Sequence, residues 1–166
     1  VADVCAPSKA ALADSTKDLI SKLLAAGYVV VAPDYEGLGT PGIHPFLNVK
    51  SEAFSITDAV VAARNYLSQR NLLTSKKWVT VGHSQGGHAA LGAAQYASRA
   101  QLEYKGTVAV APASNLGFIL IAGEQSVAKA TLDKKISMYA QLDTYTALVT
   151  AGIRNTQPTF DYPQVF

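Results

Sequence analysis

The tightest constraint on this chain is the run Gly82-His83-Ser84-Gln85-Gly86-Gly87, set between a short apolar stretch at 78–81 and an alanine-rich stretch at 89–99. The first reads as a buried strand and the second as a helix. Strand, Gly-x-Ser-x-Gly and helix, in that order, are the signature of a nucleophile elbow, a sharp turn that presents a serine hydroxyl. Such a turn asks for small residues at Gly82 and Gly86, where a Cβ is expected to meet neighbouring backbone. Ser84 is then expected at the tip, at the positive end of the following helix. Rival glycine-rich readings fit poorly. A dinucleotide fingerprint places glycine where Ser84 stands, and a phosphate loop places Lys-Ser/Thr where His88-Ala89 stand. A serine that merely caps the helix is the plainer alternative.

The flanking sequence supplies a context for that turn. Ser15-Thr16-Lys17-Asp18 fits a capping box, and Leu19, Ile20, Leu23 and Leu24 follow as an apolar stripe at helical spacing. Gly27 stands where a helix ends on a left-handed residue. Residues 28–32 form a continuous, largely β-branched run, the mark of a strand buried on both faces. Pro33 closes the run, and Gly37, Gly39, Pro41, Gly42 and Pro45 make a loop. Residues 51–70 read as a second helix with Ala53, Ile56, Val60, Ala63 and Leu67 on one face. Glu52 in its first turn and Arg70 in its last match the helix dipole. A turn at 71–75 leads into the strand before Ser84, and 107–111 reads as a further strand ended by Pro112. Helix and strand therefore alternate from 15 to 112, which predicts an α/β fold with a parallel sheet and helices on both faces. Residues 116–150 read as mainly helical and 157–166 as extended.

Composition narrows the function classes. The chain has 166 residues, of which 49% are hydrophobic and 16% charged, which suits one soluble domain with its own core. Net charge is +2. The basic doublets Lys76-Lys77 and Lys134-Lys135 read as solvated faces rather than a nucleic-acid patch. The apolar runs at 28–33 and 118–122 are too short to span a bilayer, and no signal peptide is visible. Position 1 is valine, so a translation start is not expected there. The single cysteine, Cys5, is either a small buried hydrophobe or half of a disulfide whose partner lies outside the chain.

A serine hydroxyl needs a base, usually a histidine oriented by a carboxylate. After an elbow of this type the order is serine, acid, histidine. The histidines here are His44, His83 and His88, and none lies downstream of 88. His88 sits about one helical turn past Ser84 and is expected to pack beside the elbow helix. His83 is expected to support the turn from below. His44 lies in the loop after the first strand and is a candidate for the pocket border. The nucleophile is thus legible while its base and acid are not. The chain is expected to be part of a larger enzyme, or inactive alone.

Several blocks together resemble the secretory lipases of the lipase A type, which are α/β-hydrolases. They are Cys5-Ala6-Pro7-Ser8, the stretch from Gly27-Tyr28-Val29-Val30-Val31-Ala32-Pro33-Asp34-Tyr35-Glu36-Gly37 to Gly39, Gly42-Ile43-His44-Pro45-Phe46-Leu47, Gly82-His83-Ser84-Gln85-Gly86-Gly87-His88-Ala89-Ala90 and Ala109-Val110-Ala111-Pro112. The resemblance implies a partial α/β-hydrolase fold, with 1–116 as the central part of the core and 117–166 as a helical cap segment. It implies hydrolysis of carboxylic esters, acylglycerols among them, in a secreted or cell-envelope setting. Neither metal nor organic cofactor is implied, and neither a nucleic-acid partner nor an integral membrane segment.

By the same resemblance Ser84 matches the nucleophile, and the backbone N–H of Gln85 matches one oxyanion donor. The second donor is expected upstream of Val1, and the acid and histidine downstream of Phe166. Asp34, Tyr35 and His44 are candidates for the pocket rim, with Asp34 and Glu36 expected to bond loop backbone. Cys5 matches a cysteine that can pair with a later one. The family places another strand between those like 28–32 and 78–81, so remaining segments of the same hydrolase, as another chain, are the expected partner. The alternatives are a catalytically incomplete hydrolase-like fragment, a binding module, or a phosphate-binding domain that uses the elbow helix as an anion site.

Overall fold

The computed structural model describes Val4 and residues 6–161. Cys5, on which the disulfide expectation falls, lies outside the described residues, as do 162–166. In chain order the elements are α1 (Asp14–Ala25), α2 (Val49–Ser68), β1 (Lys77–His83), α3 (Gln85–Gln95), β2 (Glu103–Val110), α4 (Leu116–Lys129) and α5 (Leu132–Ile153). Short 3₁₀ turns occupy Pro7–Lys9 and Ala97–Ala100. None of the described helices is long and apolar enough to cross a membrane.

β1, α3 and β2 form a parallel crossover unit, the local form of an α/β fold. β1 pairs with β2 from Lys77 opposite Glu103 to His83 opposite Val110, with a slip after Trp78 that leaves Lys105 as the extra residue. Side chains alternate along β1. Trp78 and Thr80 turn inward and are buried, while Val79 and Val81 are exposed, as the twofold period of a strand requires. Trp78 meets Tyr104 edge-to-face, with ring centroids 4.7 Å apart. Ile56, Val60, Val61 and Leu102 pack around Trp78, Ala97 and Ala100. α3 buries Gly87, Ala89, Ala90, Gly92 and Ala93. These small side chains let α2 and the sheet close on the helix from two sides.

α2 begins two residues before the expected position. Asn48 caps it, its side-chain oxygen accepting the Ser51 N–H at 3.1 Å, the usual way to satisfy an orphan amide at a helix start. The capping box expected at Ser15-Thr16-Lys17-Asp18 is not formed. α1 starts at Asp14, its cap is Ala13, and no side chain bonds the first amides. Its other end follows expectation. Gly27 takes φ +85°, with Gly27 N–H bonding Leu24 C=O at 2.9 Å and Tyr28 N–H bonding Leu23 C=O at 3.1 Å, the pair of bonds that defines a Schellman stop. α1 buries none of its side chains.

Residues 28–32 are not a strand among the described residues. A strand exists only with a partner, and the sheet described here has two strands, β1 and β2. Among the described residues, no backbone group of 29–33 pairs with another backbone group. Between this segment and the free edge of β1 runs a groove of about 820 Å³. Val29 and Val31 line one wall and Val79 and Val81 the other, with Ile56 and Val60 of α2 also in its lining.

α4 and α5 form a helical hairpin. Asn115 caps α4, accepting the Phe118 N–H at 3.3 Å. The end of α5 docks on the loop at 43–46. Phe46 stacks with Tyr145 at 6.3 Å, and Asn155 donates to the Ile43 carbonyl at 2.7 Å. Residues 157–161, read as extended from sequence, begin with a turn in which Phe160 N–H bonds Gln157 C=O at 3.0 Å.

Candidate active site

Ser84 stands between the end of β1 and the first residue of α3, with φ +55° and ψ −117°. A non-glycine residue in this region costs about 1–3 kcal/mol and persists only where its surroundings over-determine it. Here they do. Ser84 N–H donates to Val110 C=O at 3.0 Å, and Ser84 C=O accepts from His88 N–H at 3.0 Å and Ala113 N–H at 3.2 Å. The backbone of the turn is thereby tied to its own helix, to the end of β2 and to the segment beyond it. The side chain of Ser84 is exposed and makes no capping bond to α3.

Glycine is required at two points of the turn, and one differs from expectation. A Cβ on Gly82 would lie 2.0 Å from the Gly86 carbonyl oxygen, and one on Gly87 would lie 2.9 Å from that of Val110. Among the described residues outside its own helix, a Cβ on Gly86 would meet nothing within 4 Å. The steric demand assigned to Gly86 therefore belongs to Gly87, where α3 passes the end of β2. Gly86 instead lines the open groove.

Gln85 opens α3, so its N–H has no acceptor within the helix. It lies at the positive end of the helix, beside the Ser84 hydroxyl. The Gln85 side chain turns the other way, into a polar cluster. Its Nε2 donates to Glu52 Oε1 at 2.9 Å and meets His44 Nε2 at 3.1 Å. His44 Nδ1 donates to the Glu36 carbonyl at 2.8 Å, which leaves His44 Nε2 as the acceptor of the Gln85 amide. His88 Nδ1 lies 2.6 Å from Glu52 Oε2.

Glu52 is fully buried, at 0% exposure. It is the site-proximal residue that sequence reasoning passed over, having been read only as a first-turn acid facing the dipole. Its position beside Ala53 and one turn before Ile56, on the inward stripe of α2, was the available signal.

The remaining sequence candidates fall around this cluster. His44 is buried, with both ring nitrogens engaged. Tyr35 stacks over it at 6.1 Å, and burial, then the charge of Glu52, pushes the Tyr35 phenol up to about 12. Asp34 accepts the Ser8 N–H at 3.0 Å and also the Ser8 hydroxyl. Glu36 accepts the Ser51 hydroxyl at 2.5 Å, a side-chain bond to α2 where a loop backbone bond was expected. His83 ends β1 opposite Val110 and is exposed, not tucked beneath the turn. No imidazole among the described residues hydrogen-bonds the Ser84 hydroxyl, and no group of metal-ligating side chains occurs among them.

A family model described as Secretory lipase matches residues 5–161. The match runs through α4 and α5, beyond the 1–116 on which the sequence resemblance rests. No curated protein and no solved structure matches the chain.

Proposed function

The chain belongs to the secretory lipase family, and from that premise we propose that it carries the nucleophile of a serine-dependent carboxylic ester hydrolase acting on lipid-like esters outside the cell. The observation that supports this reading is the exposed Ser84 hydroxyl at a strained turn, beside an N–H of Gln85 that has no helical acceptor.

The chemistry follows from that placement. Ser84 Oγ attacks the ester carbonyl carbon while a base takes its proton. The carbonyl oxygen gains negative charge and rests on the Gln85 N–H and a second donor, each worth about 100- to 1,000-fold in rate. The C–O bond to the alcohol breaks, the alkoxide takes the proton from the base, and an acyl ester remains on Ser84. Water, deprotonated by the same base, attacks that ester and releases the acid and the free serine.

The base is assigned to a histidine supplied by polypeptide outside residues 1–166. His44 spends both ring nitrogens on Glu36 and Gln85, and His88, on the elbow helix itself, is held by Glu52 and makes no hydrogen bond to the Ser84 hydroxyl among the described residues. His83 makes no hydrogen bond to Ser84. The same outside polypeptide supplies the orienting acid and an extended strand for the groove between 28–33 and β1. Among the described residues both walls of that groove offer backbone without a backbone partner, and each buried unpaired peptide group costs about 1–3 kcal/mol. Such a strand completes the sheet and removes two open edges.

The lack of an imidazole at Ser84 among the described residues also favours a second reading, a hydrolase-like binding module without turnover. Hydrolysis of p-nitrophenyl butyrate by the protein isolated from its source, against its Ser84→Ala variant, separates the two. The catalytic reading expects a fall in kcat of at least about 1,000-fold. Equal rates in the two proteins, or none in either, contradict it.

A further inference from the structure

The most unusual group near Ser84 is one that the hydrolysis scheme does not use. Glu52 is a carboxylate with no exposed surface, and burying such a group is costly unless each oxygen is satisfied. Both are. Oε1 accepts from Gln85 Nε2 at 2.9 Å and Oε2 from His88 Nδ1 at 2.6 Å. The two donors are the first and fourth residues of α3, three apart and so on one face of its first turn. One side chain from α2 therefore grips the turn that carries the Gln85 N–H and follows Ser84. The second amide hydrogen of Gln85 meets His44 Nε2, and His44 is itself held by the Glu36 carbonyl. Donors and acceptors match at every step, so the amide has one satisfied orientation.

A buried carboxylate, even fully hydrogen-bonded, is a weak source of stability, and an apolar packing of equal volume often serves as well. What the contact gives here is position. The strained Ser84 backbone is held from the sheet side by Val110 and Ala113, and the first turn of α3 is held from the helix side by Glu52. We propose that Glu52 is a positioning residue for ester hydrolysis, fixing through Gln85 and His88 the place of the Gln85 N–H and the Ser84 hydroxyl, a role that rests on Ser84 being the nucleophile. It touches no reacting atom. Its effect lies in kcat rather than in KM, because a displaced oxyanion donor weakens the transition state more than the bound ester.

The test uses the whole protein in four variants, with p-nitrophenyl butyrate turnover, the rate of fluorophosphonate labelling, and circular dichroism to report folding. Ser84→Ala fixes the baseline. Glu52→Ala is expected to lower kcat about 100-fold with KM within about threefold, and to slow labelling in proportion. Glu52→Gln keeps an acceptor for Gln85 and can donate to His88 Nδ1 once that ring changes tautomer, so it is expected to recover at least about tenfold of the loss.

A folded Glu52→Ala with kcat within about threefold of wild type overturns the proposal, as does a Glu52→Gln no better than Glu52→Ala. If Glu52→Ala does not fold, Gln85→Ala decides. It keeps the backbone N–H and removes the hold of Glu52 on the residue that carries it, leaving only the His88 contact, so a loss of kcat of about tenfold or more supports the role and an unchanged kcat refutes it. Should Ser84→Ala turn over as fast as wild type, the nucleophile assignment fails, and the Glu52 role falls with it. A loss in Ser84→Ala without a loss in the folded Glu52 variants refutes Glu52 alone.

Discussion

Replacing Gly82 by alanine tests the turn at its tightest point. The added Cβ would sit 2.0 Å from the Gly86 carbonyl oxygen and 2.2 Å from its carbonyl carbon. Real Cβ atoms essentially never come closer than 3.0 Å, and the obstacle is helix backbone, not a side chain that can swing away. The first turn of α3 must therefore retreat by about 1 Å, a displacement that can cost about 100-fold in rate. Overpacking of this kind costs about 1–3 kcal/mol, and a rigid backbone obstacle puts Gly82→Ala at about 3 kcal/mol. For a protein of this size that lowers Tm by about 6–12 °C. Thermal melting and p-nitrophenyl butyrate turnover, measured where the variant remains folded, read both effects. A Gly82→Ala protein with wild-type Tm and kcat would refute the claim that β1 and α3 meet in backbone contact at the serine.

Gly86→Ala probes the groove. Its Cβ meets nothing within 4 Å among the described residues, so in an empty groove alanine is neutral or favours the helix by up to about 1 kcal/mol. With a strand seated there, the whole protein is expected to lose about 1–3 kcal/mol in urea unfolding, and an unchanged or raised stability contradicts an occupied groove. Tyr35 supplies a pH signature. Its phenol is raised from 10.0 to about 12 by burial and by Glu52, so the folded protein keeps a proton that the unfolded chain has already lost. Its contribution to stability is full below pH 10 and is lost as pH rises through about 12. Urea midpoints should fall less steeply with alkaline pH in Tyr35→Phe than in wild type, and parallel curves would refute the burial argument.

The parts of the molecule legible in the sequence were those whose signals are local. β1 and α3 follow from an apolar run, a glycine-serine turn and an alanine-rich helix, and α2 from its helical periodicity. The contacts that select glycine at the turn are not local. Gly87 is needed because α3 passes the Val110 carbonyl, a neighbour more than twenty residues away in sequence, so the motif's own spacing pointed to Gly86 instead. Residues 28–32 have the composition of a buried strand, but a ladder needs a second strand, and no local pattern can provide it. Ser15-Thr16-Lys17-Asp18 carried the letters of a capping box, yet the helix was already under way at Asp14, so no free amides remained for Ser15 to bond as a cap. Glu52 was hidden by a coincidence of two rules. An acid in a first turn satisfies the dipole argument, and only the packing of α3 on α2 shows that its oxygens face Gln85 and His88.

In the proposed reaction the hydroxyl of Ser84 is the attacking group. The most direct measurement is peptide mass spectrometry of the whole protein after reaction with a fluorophosphonate. One stoichiometric adduct is expected, located on Ser84 and absent from the Ser84→Ala variant. An adduct on any other residue, or none on the folded protein, would contradict it.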